Sequence, residues 1–378
     1  MSLLDKATII TTPTAHSNGV LHSIKGGSVA DFDVVRGSAA TRVNAEGLIE
    51  DVATNIPRID YTGGGCPSLL LEPQSTNLVT HSEDFSDASW DKNATLIVTS
   101  NNAISPDGTQ NATRVNKVSS GGRLGVDIPI TSGQSYTLSF YMKNNGGNTS
   151  LEASFDGQSA NQSYTITDNW ERYEFTFIAT TTKTSQIRLF QAAVNIDAHI
   201  WGAQLEALPY ATSYIPTSGQ IATRLADSVT GAGDATTFNS TEGVLYAEMS
   251  GTGTQGGLQT IGMFSGNVES RVLFRRNPTT NKVQALVYVN NIIQFNVQGN
   301  MLNGFNKVAL KYKENDFALW LNGVEVGSSN SGLAPVASLS KLSFKDEAVG
   351  NPFFGKVKDV RTYNTALTDA ELTELTTI

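Results

Sequence analysis

The chain contains a single cysteine, Cys66, within the glycine-rich stretch TGGGCPSLLLEP that begins at Thr62. A nucleophilic cysteine needs a neighbouring base, but the nearest histidine, His81, is fifteen positions away. The stretch also lacks the Lys-Ser/Thr ending of a phosphate-binding loop, and Pro67 and Pro73 exclude the helix that follows such a loop. We therefore predict that Cys66 is incidental and that the glycines form a turn before a buried strand.

Aromatic and amide side chains in the central part of the chain have the chemistry needed to bind sugars. Aromatic rings stack on the apolar faces of sugar rings, while amides and carboxylates hydrogen-bond to the hydroxyls. The candidate platforms and polar partners are Trp90, Tyr141, Tyr164 and Trp170, with Asn144, Asn145, Asn161 and Gln162. Tyr141 is favoured because its strand pattern points it outward, whereas core packing is the alternative for each aromatic residue. Trp201 and Trp320 are predicted to pack against a core or a strand edge.

Acidic loop residues in the same region suggest calcium as a cofactor. Calcium binds hard oxygen ligands from carboxylates and carbonyls, and the segment SEDFSDASWDKN is rich in acidic residues. The hypothesis places calcium at Glu83, Asp84 and Asp197. A solvated acidic loop is the alternative, because the sequence has no EF-hand pattern. Metal-ligand spacing is not seen among the histidines, which are His16, His22, His81 and His199.

The composition favours a β-rich protein with an uncharged polar surface. Only 16% of the 378 residues are charged, and the formal net charge is −9. No segment is basic, so binding to DNA or RNA by counterion release is not expected, whereas neutral glycans are permitted. One cysteine excludes an intrachain disulfide, and no window approaches the ~18 apolar residues of a membrane span. We therefore expect no membrane insertion, and the absence of a secretory signal pattern predicts synthesis in the cytoplasm.

Alternating strands dominate residues 81–225. In SYTLSFYMKN (135–144), Leu138, Phe140 and Met142 fall on one face of the strand, and Tyr141 and Lys143 fall on the other. This alternation is typical of half-buried antiparallel strands. Eight such runs separated by turn residues predict an antiparallel β-sandwich of the jelly-roll type.

A second series of strands covers residues 226–378 and predicts another antiparallel sandwich. Within ENDFALWLNGVEVG (314–327), the pair Asn322 and Gly323 predicts a tight hairpin turn. Thr368 and Glu371 fit a capping box and predict one short C-terminal helix. Between the sandwiches, the small residues of 211–237 indicate a linker or a strand that crosses between domains.

Residues 1–80 contain only short apolar runs separated by Gly, Pro, Asn and Ser clusters. We interpret them as short strands and extended segments that a partner chain completes. The predicted organisation is therefore mostly β, with three parts. Residues 1–80 form an attachment and oligomerisation region, residues 81–225 a jelly roll, and residues 226–378 the second sandwich.

Three parts of the sequence together resemble a known kind of protein. SLLDKATIITTPTAHSNGVLHSIKG and PRIDYTGGGCPSLLLEPQSTNLVTHSEDF resemble the N-terminal region of tail or fibre proteins of phages and prophages. SYTLSFYMKN, NWERYEFTFIAT and IWGAQLEALPYATSYIPTSG look like the carbohydrate-binding jelly-roll module that such proteins carry. FALWLNGVEV and GKVKDVRTYNTALTDAELTEL are similar to laminin-G-like, concanavalin-A-like lectin domains.

The resemblance implies a virion-surface protein, either a fibre or a spike on the tail or the head, that binds host-surface polysaccharide. We expect a homotrimer held to other capsid or tail proteins, because weak sugar sites gain avidity when several copies bind together. The alternative is a decoration protein that stabilises the virion and binds only other virion proteins.

Hydrolases with a concanavalin-like fold carry the pattern Glu-x-Asp-x-x-Glu, because glycoside hydrolysis needs carboxylates on both sides of the scissile bond. In ENDFAL, Glu314 and Asp316 fit this pattern, but Leu319 stands at the third acidic position. No histidine follows His199, so a lyase with a catalytic histidine is not indicated for the last part of the chain. We predict a protein without enzymatic activity, with a polysaccharide depolymerase as the less favoured alternative.

Overall fold

The computed structural model describes residues 2–17, 19–92, 95–119, 121–158, 162–190, 195–253, 257–336 and 339–378. Antiparallel strands account for most of the regular structure, which confirms the predicted mostly-β fold with a short C-terminal helix. In the described part of the chain, no helix is long and apolar enough to cross a membrane.

The elements of residues 1–80 are α1 (Leu3–Lys6), β1 (Ala7–Ser17), β2 (Val20–Lys25), a 3-10 turn (Ser28–Ala30), β3 (Phe32–Val35), β4 (Ala40–Val43), β5 (Ile49–Val52), β6 (Ile59–Asp60), β7 (Ser68–Leu71) and β8 (Ser75–Asn77). Residues 81–225 contain β9 (Trp90–Lys92), β10 (Leu96–Ala103), β11 (Ala112–Lys117), β12 (Leu124–Ile130), β13 (Ser135–Asn144), β14 (Ser150–Phe155), β15 (Gln162–Thr165), β16 (Glu171–Ile178), β17 (Lys183–Leu189), β18 (Ile196–Glu206) and β19 (Ala222–Arg224). Residues 226–378 contain β20 (Ser228–Thr230), β21 (Glu242–Gly251), β22 (Gln259–Ser265), β23 (Arg271–Asn277), β24 (Lys282–Val289), β25 (Ile292–Asn300), β26 (Asn306–Lys313), β27 (Phe317–Leu321), β28 (Val324–Ser329), β29 (Leu339–Ser343), β30 (Gly355–Tyr363) and α2 (Asp369–Thr376).

The chain divides into two compact units. The terminal unit consists of Met1–Ala39, Val52–Pro73 and Ala226–Ile378, and the central unit consists of Ala40–Asp51 and Gln74–Leu225. The first 80 residues are therefore divided between the units, which differs from the independent N-terminal region predicted from the sequence. The predicted division at residue 225 coincides with the boundary between the units.

Two sheets build the terminal unit. The larger has the order β20-β3-β2-β1-β30-β21-β26-β27-β28, with β7 also paired to β30 and β6 to β7, and the smaller has the order β25-β24-β23-β22-β29. Apolar residues of the N-terminal strands, such as Leu21, Phe32 and Leu69, share one core with Leu245 and Val272. The short N-terminal runs thus bury their side chains within their own chain, because later strands of the same chain complete the sheet.

A buried ionic cluster joins the N-terminal segments to the start of the last region. Arg58 Nη1 donates to Glu72 Oε2 at 2.6 Å, and Arg36 Nη1 donates to Asp227 Oδ1 at 3.1 Å. Arg58 Nη2 also donates to Asp227, and the four side chains are at most 7% exposed. Burial acts to lower the pKa of the Arg58 guanidinium, but the charges of Glu72 and Asp227 outweigh it and raise that pKa, so Arg58 stays charged.

Two five-stranded sheets build the central unit, with the orders β10-β11-β18-β13-β16 and β15-β14-β17-β12-β9. Their inner faces meet in one apolar core that includes Phe140, Phe155 and Phe175. This arrangement is consistent with the predicted jelly-roll sandwich. The segment predicted as a linker contributes to the fold, because Tyr214 is only 3% exposed and β19 pairs with β8.

The local predictions for the last region are confirmed. Asn322 and Gly323, with φ of 51° and 82°, connect β27 to β28 in the predicted hairpin. At the start of α2, Thr368 Oγ1 accepts from the Glu371 backbone N–H, and the Glu371 side chain accepts from the Thr368 N–H. The helix buries Leu372 in a small apolar cluster that also contains Trp320.

Candidate carbohydrate-binding face

The sheet β10-β11-β18-β13-β16 has one face toward the core and one face turned away from it, here called the outer face. Along β13, Leu138, Phe140 and Met142 are fully buried in the core. Tyr141 and Lys143 alternate with them and lie on the outer face, because successive strand residues point to opposite sides. The predicted outward position of Tyr141 agrees with this arrangement.

Strand register brings several polar residues together with Tyr141. Tyr141 lies opposite Trp201 of β18 and opposite Arg172 of β16. Two positions further along β13, Lys143 lies opposite His199, which in turn lies opposite Arg114 of β11. The outer face therefore carries two neighbouring rows of side chains, one mainly aromatic and the other cationic. We call one group of residues on and beside this outer face the binding face: Arg114, Tyr141, Lys143, Trp170, Arg172, Asp197 and His199.

Each partly buried aromatic ring of the binding face has a cation beside it. Lys143 Nζ lies 5.2 Å from the centroid of the Trp170 ring, and the Arg172 guanidinium carbon lies 5.5 Å from that of Tyr141. The Trp170 indole N–H donates to the Ile104 carbonyl at 3.0 Å, and the Tyr141 ring contacts Trp201 with centroids 5.6 Å apart. These contacts fix the orientation of both rings, which is what a stacking platform for a sugar requires.

A charged pair lies beside the cationic row. Arg114 donates to both carboxylate oxygens of Asp197, with 2.7 Å between Nε and Oδ1. Asn145 Nδ2 donates to the same Oδ1 at 3.0 Å. The hydrogen bonds from Arg114 hold the pKa of Asp197 below its usual value. Asp197 is thus an ionised acceptor with a fixed direction.

His199 is the most deeply buried titratable group of the binding face, with 5% of its surface exposed. Its Nε2 lies 3.0 Å from Asn102 Oδ1, and Nδ1 has no hydrogen-bond partner among the described residues. Burial lowers the pKa of His199, and the charge of Lys143 adds to this effect. A neutral ring that donates from Nε2 leaves Nδ1 as an acceptor.

The comparisons with known proteins agree with this geometry. Residues 79–193 match the carbohydrate binding domain family, and residues 236–373 match the concanavalin A-like lectin/glucanases superfamily. The chain carries a carbohydrate-binding module and a laminin-G-like lectin domain. The carbohydrate-binding module belongs to the central unit and the lectin domain to the terminal unit. No curated protein matches the chain.

Solved structures that are similar to parts of the chain include carbohydrate-binding modules. The CBM40 of the Ruminococcus gnavus IT-sialidase, bound to α2,3-sialyllactose, is 16% identical, with 39% of this chain and 94% of that chain covered and a TM-score of 0.32. Domain 4 of AbnA, an arabinanase of Geobacillus stearothermophilus, in complex with arabinotriose, is 14% identical (44% and 82% covered, TM-score 0.33). The CBM22-1 xylan-binding domain of Paenibacillus barcinonensis Xyn10C is also 14% identical (37% and 99% covered, TM-score 0.28).

Two of the predicted platforms in the carbohydrate-binding module do not belong to the binding face. Trp90 is 1% exposed, its ring packs on Phe85 with centroids 4.8 Å apart, and its indole N–H donates to the His81 carbonyl at 2.9 Å. The prediction that Trp90 is a platform is therefore wrong, because its ring fills the core. Tyr164 lies in β15 of the other sheet, and its hydroxyl donates to the Glu174 carbonyl at 2.7 Å.

The predicted amide partners lie in different parts of the structure. Asn144 Nδ2 donates to Asp168 Oδ1 at 3.1 Å, and Asn144 Oδ1 accepts from the Gly147 N–H, so this side chain orders the loop after β13. Gln162 is exposed in β15, on the sheet that carries Tyr164. Asn161 lies outside the described residues. Of the predicted amides, Asn145 reaches the binding face, through Asp197.

The predicted calcium ligands do not form one site. Glu83 and Asp84 line a cleft of about 570 Å³ that lacks Asp197 among its lining residues. Glu83 accepts from Tyr214 at 2.8 Å and from Asn111 at 3.0 Å, and burial raises its pKa. In the described part of the chain, no three His, Cys, Asp or Glu residues group as a metal site. The hypothesis is corrected because Asp197 is bound to Arg114 and the Asp84 carboxylate accepts from Ser86.

The remaining sequence candidates lie in the lectin domain or its N-terminal part. Cys66 is exposed and follows three glycines with φ between 74° and 89°, as the predicted turn requires. Of the acidic pattern, Asp316 is paired with Lys311 at 2.7 Å, and Leu319 is fully buried. Sequence reasoning did not select Arg114, Arg172 and Lys143, because only strand register places them beside the aromatic rings.

Proposed function

We propose that this protein binds glycans through the binding face of its carbohydrate-binding module. The observation that carries the proposal is the placement of Tyr141 and Trp170 on one outer face, beside groups that can hydrogen-bond to sugar hydroxyls. The rings would stack on the apolar faces of the sugar, while Lys143 and Asp197 would contact its hydroxyls. Binding of this kind needs no bond cleavage.

A glycan array probed with the full chain tests the proposal, followed by affinity measurement on the best ligand by calorimetry. Trp170→Ala and Tyr141→Ala should each raise the Kd about tenfold or more, because losing a stacked ring costs on the order of 1.4 kcal/mol. Tyr288→Ala is the matched control: Tyr288 is a partly buried aromatic residue of the terminal unit with the Arg271 guanidinium carbon 4.1 Å from its ring centroid. An unchanged Kd in both outer-face variants would contradict the assignment of the face.

We further propose that the protein is displayed on the surface of a phage virion, as a tail or head fibre or spike, and binds host-surface polysaccharide. The resemblance of the N-terminal stretches to phage fibre proteins supports this setting. A homotrimer attached to other capsid or tail proteins would present several weak sites together, and avidity would then exceed the affinity of one site by a large factor.

Imaging of intact particles with an antibody against the chain tests the location, and the same antibody should block adsorption to host cells. Light scattering of the purified chain tests the trimer. Particles that adsorb normally in the presence of bound antibody would contradict the receptor-binding role. The alternative role, a decoration protein, predicts a blank glycan array and particles that fall apart when the protein is missing.

We also propose that the protein has no enzymatic activity toward glycosidic bonds. Incubation of the purified chain with host polysaccharide should release no new reducing ends. Their release would favour the depolymerase alternative, and Asp316→Asn would then identify whether the incomplete acidic pattern is responsible.

A further inference from the structure

The N-terminal hairpin of β1 and β2 brings a serine, a histidine and an aspartate into one line. Ser17 Oγ lies 2.6 Å from His22 Nε2, and His22 Nδ1 lies 2.8 Å from Asp31 Oδ2. Both distances fall within the range in which a base activates a nucleophile and a third group orients the base. All three residues belong to the terminal unit, so this group is separate from the binding face of the carbohydrate-binding module.

The direction of the hydrogen bonds follows from the chemistry of the carboxylate. An ionised Asp31 is only an acceptor, so His22 carries a proton on Nδ1 and donates it to Oδ2. In the neutral ring, Nε2 is then the acceptor for the Ser17 hydroxyl. The Ser23 backbone N–H donates to the other carboxylate oxygen, Asp31 Oδ1, at 2.8 Å, which fixes the carboxylate in this orientation.

Solvent exposure decreases from Ser17 through His22 to Asp31, so the group that must reach the substrate is the most accessible one. Ser17 is exposed, while the side chains of His22 and Asp31 are 39% and 17% exposed. The hydroxyl can therefore meet a large substrate, and the carboxylate that orients the base is shielded from water. β1 and β2 are held by the sheet, because β1 pairs with β30 and β2 pairs with β3.

We propose that Ser17 is a nucleophile for acyl transfer from oxygen esters, with His22 as the general base and Asp31 as a positioning residue. Ser17 Oγ forms a bond to the carbonyl carbon while His22 Nε2 takes the hydroxyl proton. The ester C–O bond then breaks, and His22 returns the proton to the departing alcohol. Water attacks the acyl-serine with His22 again as base, which releases the carboxylic acid and restores Ser17.

The substrate class is a small acyl ester that projects from a large molecule, such as an O-acyl group on a polysaccharide. An exposed serine can reach a group of this kind at the surface of a polymer, and the acyl chain needs no deep pocket. This activity goes beyond the proposed glycan binding and departs from the sequence-based prediction of a protein without enzymatic activity.

Covalent labelling with a fluorophosphonate probe tests the nucleophile in the full chain, with mass spectrometry of peptides to locate the label and p-nitrophenyl acetate to follow turnover. We expect the label on Ser17, no label at that position in Ser17→Ala, and a rate about 10²–10⁴-fold lower in His22→Gln. Ser331→Ala is the matched control, because Ser331 is an exposed serine of the same unit whose hydroxyl contacts Ser329 and, among the described residues, no histidine. Asp31→Glu should restore part of the rate lost in Asp31→Asn, a rescue that a purely structural role would not produce.

Two results would overturn the proposal. One is labelling of Ser17 no faster than labelling of Ser331, and the other is a His22→Gln variant that reacts as fast as the parent. Melting curves of each variant separate a loss of reactivity from a loss of folding. Glycan binding should be unchanged in Ser17→Ala, so failure of the acyl-transfer proposal is distinguishable from failure of the binding proposal.

Discussion

Arg58 and Asp227 are 169 positions apart in the chain and form a buried ion pair. The pair connects a segment that follows β5 to the residues just before β20, two parts of the terminal unit that the residues of the central unit separate in the sequence. Asp227 also accepts from Arg36 and from the Glu72 backbone N–H, and each carboxylate oxygen of Asp227 therefore has a partner.

Removal of the Arg58 charge should destabilise the terminal unit strongly. Arg58→Met leaves the Glu72 and Asp227 carboxylates buried with fewer partners, which costs about 3–5 kcal/mol of unfolding free energy. Lys313→Met is the control, because Lys313 is 51% exposed and its ion pair with Glu242 spans 3.4 Å. That control should change stability by less than about 1 kcal/mol in urea titrations. If Arg58→Met lowered the unfolding free energy no more than Lys313→Met does, the ionic cluster would contribute little to stability.

A fragment of residues 226–378 should not fold cooperatively, although the lectin match begins only at residue 236. Without the first 73 residues, β30 loses its partners β1 and β7, and the core loses Leu21, Phe32 and Leu69. Circular dichroism and thermal unfolding check this against a fragment of residues 74–225, which retains both sheets of the central unit. A sharp unfolding transition in the 226–378 fragment would disprove the prediction.

Replacement of Trp90 by alanine should mainly lower stability, whereas replacement of Trp170 by alanine should mainly weaken glycan binding. Trp90→Ala opens a cavity in the core and should cost about 3–5 kcal/mol of stability. Trp170→Ala removes a partly buried ring and should affect glycan affinity far more than stability. Denaturant unfolding and binding, measured on both variants at a temperature where each is folded, check the contrast. A stable Trp90→Ala variant with lost binding would return Trp90 to the list of platforms.

The stability of the central unit should fall as the pH drops below about 6.5. Burial lowers the pKa of His199, Lys143 and Arg114 lower it further, and Asp197 opposes them. The unfolded chain therefore binds a proton more readily than the folded chain, and protonation favours unfolding. Urea unfolding at about pH 7.5 and about pH 5 should show this loss, and His199→Gln should reduce it. A His199→Gln variant that loses as much stability as the parent between these two pH values would contradict the prediction.

Sequence patterns predict an element well where its neighbours in the chain decide its environment. The alternation around Tyr141, the Asn322–Gly323 turn and the Thr368 capping box are local, and each has the predicted structure. The prediction for Trp90 is wrong because β9 is only three residues long, so its sequence has no alternation that could indicate which residues point inward. Such a short strand takes its burial from the sheet around it.

Long-range pairing accounts for what the sequence did not predict. Ala7 pairs with Tyr363, so the N-terminal strands obtain their partners from the far end of the chain, and no local pattern indicates this. The binding face depends in the same way on register, since Lys143 and Arg114 meet across His199 only when three strands are aligned. The composition of each segment contains no information about that alignment.

The position of β30 has a consequence for how the protein is made. β30 follows the other described strands in the sequence, yet it lies between β1 and β21 in the large sheet. At synthesis rates of about 5–20 residues per second, β1 leaves the ribosome together with its neighbour β2 but roughly 20–70 s before β30, its second partner, is made. The central unit is complete by Leu225 and can fold in that interval. During that interval the edge of β1 that later pairs with β30 has no partner strand, so we expect ribosome-bound chains to recruit a holding chaperone until β30 emerges.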